Sequence, residues 1–260
     1  LLPVLIYQEG LRDARDHGAV LVQGAPVTAC DTSGGKITAI HTPKGSFSGD
    51  VFLDCTNAWS RALARTLGAE ELPIDALKRY LWFLGRDGSM TPEQLGAMPL
   101  IITPGGVYCR PENRDSLLMG HAHPTRHEDG FSYEDQDVIE PTFAHTGGLE
   151  AAPYASWEQL STHMPAVAEF SGIRSTTSGY YGTTPDHNPF FGYDRNLSNL
   201  IRLVGFSGHG AMFGPFSAQV GFQLCEAGGD LDTITIEGED IGLAAFRIGR
   251  DYDHQEAMVI

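Results

Sequence analysis

The chain has 260 residues, 42% of them hydrophobic and 10% aromatic, and a formal net charge of −16. Those values suit a folded globular protein of one large or two smaller domains and exclude disordered and fibrous classes. The acidic balance argues against nucleic acid as a partner, because phosphates would be repelled, and no apolar run reaches the roughly 18 residues of a membrane span.

The opening LLPVLI lacks a basic leader and does not read as a signal peptide; with no initiating Met, the chain reads as part of a longer one. Residues 3–17 carry apolar side chains at helical spacing, with Gly18 as the stop. A short strand is expected over Ala19–Gln23. VTACD and KITAIHT flank Thr32-Ser33-Gly34-Gly35, a hairpin signal. DVFLDCT has few charges and is expected to form a strand buried on both faces. TNAWSRALARTLG then reads as a turn and a helix, capped by Asn57 or Ser60 and ended by Gly68.

The character changes near Ile74. LKRYLWFLGR, GVYCRPE and SLLMGHAH read as strands between Gly/Pro-rich turns. Helices are expected around DQDVIEPTFAHT and SWEQLSTHMPAVAEF, the second broken by Pro165. Residues 172–192 return to strand and loop. Cys30, Cys55, Cys109 and Cys225 are far apart and form no CxxC, which fits buried thiols in a reducing cytosol, hence a cytoplasmic protein.

The densest cluster of unusual residues is GFSGHGAMFGP at 205–215, between an apolar strand-like run and a helix-like run starting near Pro215. The helix is expected to begin between Ala211 and Phe216, with Phe216, Val220 and Leu224 on one packing face. Glycines let the backbone approach a ligand closely, and the first-turn N–H groups and dipole of a helix favour electron-rich atoms. On spacing alone a Gly-rich turn without a ligand is the better explanation of the cluster.

TTPDHNPFFG at 183–192 followed by GFSGHG at 205–210 resembles the C-terminal signature of the FAD-dependent amino-acid and amine oxidoreductases, the D-amino-acid oxidase, sarcosine and dimethylglycine group. GAPVTACDTSGGKITAIHTPKGSFSGDVFLDCTNAWSRALARTLG resembles the family's β-meander and its A-G-A-W loop. VYCRPE and SLLMGH resemble its substrate-domain strands, and FRIGRDYDHQEAMVI its closing segment. The resemblance implies an α/β (α+β) fold. Residues 1–73 and 193–260 would be the remainder of an FAD-binding domain with a β-meander, and 74–192 a substrate-binding domain built on a large mixed or antiparallel sheet. The family's N-terminal strand–GxGxxG–helix unit, which holds the FAD pyrophosphate, does not occur in these 260 residues. A missing N-terminal segment or a partner subunit is therefore expected to supply it.

The same resemblance implies the site. Gly205, Phe206, Ser207, Gly208, His209, Gly210, Ala211 and Met212 would border the flavin, with the helix N-terminus stabilising charge on the reduced ring. Thr56, Asn57, Ala58 and Trp59 would form the second flavin loop; Asn57 replaces a glycine and suits a positive φ. Val27 would meet adenine through its backbone. Met212 stands where several oxidases place a lysine. Gly179 stands where some members attach FAD through a cysteine, so FAD is expected to be non-covalent. Tyr181, His121, His123 and Arg110 are the candidate catalytic residues, and Tyr181, His121 and His123 are expected to converge with His209 on one cavity. Core packing is the alternative for Tyr180 and Tyr181, an ion pair with an acidic neighbour for Arg110, and hydrogen-bonded or solvated rings for the histidines. A metal site including His127 is disfavoured for want of a clear fourth ligand. Asp186 reads as the anchor of an Asx turn. The expected activity is oxidation of the C–N bond of a small amino acid or amine. A non-catalytic relic, or a subunit of a heteromeric dehydrogenase, is the alternative.

Overall fold

The computed structural model describes residues 3–121, 126–128 and 153–252. They divide into two compact units, the first comprising residues 3–73 and 185–252 and the second the described residues between 74 and 184. Residues 185–192, expected in the substrate-side domain, thus group with the first unit.

The first unit opens with helix α1 (Pro3–Asp16), followed by Gly18 at φ 97°. The strand expected over Ala19–Gln23 does not form, and Val20 is 84% exposed. An apolar β-branched run has strand propensity, but among the described residues nothing pairs with it. Strands β1 (Ala29–Ser33), β2 (Lys36–Thr42) and β3 (Gly45–Phe47) form the antiparallel meander. Gly34 and Gly35, at φ 58° and 73°, make the tight turn that their type requires.

Strand β4 (Phe52–Asp54) leads through a 3₁₀ turn (Asn57–Trp59) into α2 (Ser60–Leu67), which ends at Gly68 in the left-handed region. Neither expected cap operates. Ser60 donates to Asp54, and Asn57 accepts from a distant loop instead. Strand β11 (Phe190–Tyr193) pairs antiparallel with β12 (Leu200–Val204), and β12 pairs parallel with β4. Helix α5 (Gly210–Ala227) follows β12. It starts one residue before the expected window, so Pro215 lies inside it rather than at its first turn. Val220 and Leu224 of α5 bury against Phe191, Ile201 and Leu203, while α2 packs with Leu200 and Ile37 in a separate cluster. The expectation that β4 is buried on both faces fails at Leu53. This residue pairs with the fully buried Ile201 yet is 49% exposed, because β4 is the edge of its three-stranded sheet. The unit closes with the hairpin β13 (Thr233–Ile236) and β14 (Glu239–Gly242).

The second unit is a sheet with helices on one face. Its elements are β5 (Asp75–Gly85), α3 (Pro92–Gly96), β6 (Ile101–Ile102), β7 (Val107–Pro111), β8 (Ser116–His121), β9 (Arg126–Glu128), α4 (Pro153–His163) and β10 (Ile173–Thr183). The helix ends before Pro165, which starts a 3₁₀ turn, as expected; the other expected helix, at 135–146, lies outside the described residues. The sheet order is β10-β5-β8-β7-β6, with β9 also on β5. β5 thus lies between β8 and β10. Trp82, Leu84, Val107, Cys109, Leu117 and Met119 on one face bury against Leu160, Val167 and Phe170.

Candidate functional site

In the first unit most of the candidate flavin residues collect where two parallel strands end. β4 and β12 run side by side, so the loops leaving their carboxyl ends, 55–59 and 205–209, are adjacent. That is where open α/β sheets form ligand crevices. The Asn57 side chain joins the loops: its Oδ1 accepts from the backbone N–H of both Gly205 and Phe206, at 3.0 Å each. Asn57 holds φ 50°, as the substitution for glycine implied. In the other loop Gly205, Ser207 and Gly208 hold φ 82°, 48° and 94°. These left-handed positions turn the chain sharply between β12 and the helix that follows, with the Gly205 and Phe206 N–H groups taken by Asn57.

His209 precedes the first turn of α5, with its ring 6% exposed. Helix α5 then begins at Gly210, so its unsatisfied first-turn N–H groups and dipole face the loop end of the sheet. Ala211 is exposed and Met212 70% exposed in that turn, and Ala58 is buried in the loop that bears Asn57. Val27 packs beside the meander with Leu63 and Leu67 rather than in either loop. Backbone donors, glycine clearance and a helix N-terminus fit the carbonyl-rich edge of a flavin, which needs hydrogen-bond donors and close backbone approach.

An ion-pair network missed by sequence reasoning fixes the first of these loops. Arg202 on β12 is fully buried. It donates to Asp54 at 2.8 Å, Asp194 at 2.7 Å, Ser60 at 2.6 Å and the Glu70 carbonyl at 3.0 Å. Asp54 in turn accepts from the Thr56 backbone and hydroxyl, at 2.9 and 2.6 Å. The loop bearing Asn57 is therefore tied at its root to the strand that feeds the other loop. A lone Arg in LIRLV carried one usable signal, a charge inside an apolar run, which demands buried partners.

Asp186 makes the expected Asx turn, accepting from Asn188 N at 3.2 Å. It also forms a two-bond pair with Arg250, both at 2.7 Å. Burial alone would raise its carboxyl pKa, but the hydrogen bonds and charge of Arg250, with the Asn188 amides, hold it below the ordinary value.

In the second unit the register separates the candidate catalytic residues. His121 stands on the helix-packed face, 7% exposed, with Nε2 3.1 Å from the Gly105 carbonyl and Nδ1 3.3 Å from Ser156 Oγ. Both ring nitrogens are thus engaged within that face. Tyr181 pairs with Leu77 and stands on the opposite face, so the expected convergence of His121 with Tyr181 does not occur. His123 lies outside the described residues, as does the side chain of His127. Arg110 shares the face of Tyr181, but it forms an ion pair with Glu112 at 2.9 Å.

Two residues on that second face were not singled out from sequence. Tyr108 lies across Gly120, where a Cβ would come within 2.3 Å of its ring. Burial, then the neighbouring Tyr181 phenol, push its pKa up to about 12, so it is a neutral hydroxyl at pH 7. Arg79 on β5 is 8% exposed, and its guanidinium sits 5.7 Å from the centre of the Tyr181 ring. Among the described residues no cluster of three or more potential metal ligands occurs, and no helix is long and apolar enough to cross a membrane.

Comparison with known proteins gives this geometry a context. A family model described as FAD dependent oxidoreductase (DAO) matches residues 6–224. Human mitochondrial sarcosine dehydrogenase is 26% identical over 220 residues, covering 78% of this chain and 21% of that protein. Human mitochondrial dimethylglycine dehydrogenase is 23% identical over 202 residues, covering 74% and 22%. Among solved structures, L-proline dehydrogenase from P. horikoshii superposes with a TM-score of 0.65 at 24% identity, covering 84% of this chain and 54% of that one. Glycine oxidase from Geobacillus kaustophilus gives 0.64 at 18%, covering 92% and 55%. The chain therefore spans about a fifth of the curated relatives it matches and about half of the solved chains.

Proposed function

Because the chain belongs to the FAD dependent oxidoreductase (DAO) family, we propose that it oxidises the C–N bond of a small amino acid or a secondary or tertiary amine. The observation that carries this reading is the pair of loops at the ends of β4 and β12, joined by Asn57 and followed by the N-terminus of α5. Relatives named for sarcosine, dimethylglycine, L-proline and glycine support the substrate class.

When bound, FAD supplies a two-electron acceptor. The chain's own part is to hold that acceptor and set its surroundings. Thr56, Asn57, Ala58 and Trp59 form one retaining loop, and Gly205–Met212 the other. The backbone N–H groups and dipole of α5 favour negative charge at the flavin edge, and Val27 contributes its backbone to the adenine side. The substrate, reacting as a neutral amine, would give up hydride from the carbon bearing nitrogen to that acceptor, leaving an iminium that water hydrolyses to a carbonyl compound and the released amine. Tyr181 orients the substrate, with Arg110 on the same face. FAD is non-covalent, since Gly179 offers no nucleophile. The four free cysteines suit a reducing compartment, and we place the protein in the cytoplasm.

A second reading concerns where FAD is completed. No strand–GxGxxG–helix unit occurs in the 260 residues. The pyrophosphate site then lies on another segment of the polypeptide or on a partner subunit. A non-catalytic relic is the rival. The test is the visible spectrum of the protein isolated from its own cells, before and after acid precipitation. Flavin absorbance that stays in the supernatant supports non-covalent FAD; absorbance in the pellet refutes the non-covalent part. A colourless protein that takes up no added FAD supports the relic.

A further inference from the structure

The meander β1-β2-β3 packs one face, through Cys30 and Ile40, against Leu63 and Leu67 of α2. Its other face carries three side chains that the flavin loops do not use. Asp31 on β1, His41 on β2 and Ser46 on β3 stand in a row across the three strands. Ser46 is directly opposite His41, and Asp31 lies diagonally, two residues along from Ala29, the β1 partner of His41. His41 Nε2 is 3.0 Å from Asp31 Oδ2, and its Nδ1 is 2.7 Å from Ser46 Oγ.

The two contacts assign the ring's proton. A carboxylate only accepts, so Nε2 carries the hydrogen and donates to Asp31. In the neutral ring Nδ1 then holds a lone pair, and the Ser46 hydroxyl donates to it. The order is nucleophile, base, orienting carboxylate, a constellation recognised by geometry and role rather than by position in the chain. A further donor stands beside Oγ. The His41 carbonyl faces β1, where it accepts from the Thr28 backbone N–H at 2.9 Å. In an antiparallel ladder the N–H of the residue opposite, Ser46, therefore points away from β2. β3 is an edge strand of its sheet, so this N–H is placed to donate to an oxygen bound next to Oγ. The His41 and Asp31 side chains are 33% and 67% exposed, so the row is open and selects by reactivity rather than by shape.

We propose that Ser46 is a nucleophile toward activated esters, an acyl-transfer activity separate from the C–N oxidation. Ser46 Oγ attacks the carbonyl carbon while its proton passes to His41 Nδ1. The bond from that carbon to the leaving oxygen breaks, and the proton on His41 leaves with the alcohol. Water then gives a proton to His41 and attacks the acyl carbon; the bond to Oγ breaks, the proton returns to Ser46, and the carboxylic acid is released. Asp31 keeps the ring in the tautomer that leaves Nδ1 free to accept. No flavin takes part, so this activity and the oxidation stand or fall independently.

The test treats the full chain with p-nitrophenyl acetate and locates the acetyl group by peptide mass spectrometry. Ser48, an exposed serine on the same segment, is the internal control. Acetyl is expected on Ser46 about 100-fold faster than on Ser48, the lower end of what a positioned base supplies. His41→Ala should bring Ser46 down to the rate of Ser48, and Ser46→Ala should remove the p-nitrophenolate released in step with it. Asp31→Asn should slow acetylation about 2- to 5-fold, the scale of an exposed ion pair. Ser46 and Ser48 acetylated alike in the wild type overturn the proposal, so a His41→Ala that fails to fold still leaves it decided. Ser46 acetylated as fast in a folded His41→Ala as in the wild type overturns it too. A rate unchanged in Asp31→Asn overturns the role given to Asp31, and acetyl-Ser46 that water does not release overturns the second step.

Discussion

At the residue scale, the first loop pair depends on one amide oxygen. Asn57 combines a left-handed backbone with two accepted N–H bonds, a pairing that few other side chains can supply. Asn57→Ala leaves both donors without that acceptor and keeps the strained φ, and is expected to cost about 2 kcal/mol in urea unfolding. Asn57→Asp, which keeps an acceptor, should cost less; equal losses would place the effect elsewhere. Asp186 gives a pH-dependent counterpart. Its folded pKa is depressed, so the stability it contributes is present above the unfolded carboxylate value of about 4 and is lost as pH falls through the folded value. Asp186→Asn should therefore destabilise the protein at pH 7. The gap to wild type should shrink as pH drops below about 4. A gap that stays constant to low pH would show that Asp186 acts through shape rather than charge.

At the scale of elements, sequence reading succeeded where a residue type has one local meaning. Gly34-Gly35 made the hairpin turn, Gly68 ended α2, and Pro165 stopped α4. It failed where partners distant in sequence decide. Val20-Leu21-Val22 reads as a strand but gains no pairing partner among the described residues. The register linking β8 to β10 through β5 puts His121 and Tyr181 on opposite faces, and no local pattern encodes it. For the same reason Tyr108 and Arg79 escaped notice, since their shared face exists only once the register is known. The Arg202 network joins residues as distant as Asp54 and Asp194. Arg202→Met would strand both carboxylates in a buried site. It is expected to lower stability by about 3–5 kcal/mol in denaturant unfolding, and a loss under 1 kcal/mol would contradict the network's role. Helix α5 offers a packing test. A Cβ on Gly221 would meet Leu203 at 2.8 Å, so Gly221→Val should cost about 1–3 kcal/mol and loosen the helix that carries the second loop. Unchanged thermal unfolding would show that Leu203 yields freely.

For the whole molecule, the two units hold different candidate residues. The first supplies loops suited to a flavin edge, and the second a sheet face with Arg79, Tyr108 and Tyr181. The chain spans 54% of the solved L-proline dehydrogenase chain that it resembles, and the proposed oxidation is tested on the protein as it occurs in its own cells. The most direct measurement is anaerobic spectroscopy of that protein, isolated from its own cells, as small amino acids and N-methylated amino acids are added. The account predicts flavin absorbance that fades on addition of such a substrate and returns when an electron acceptor is admitted. A correctly folded preparation that neither contains flavin nor binds added FAD would contradict it.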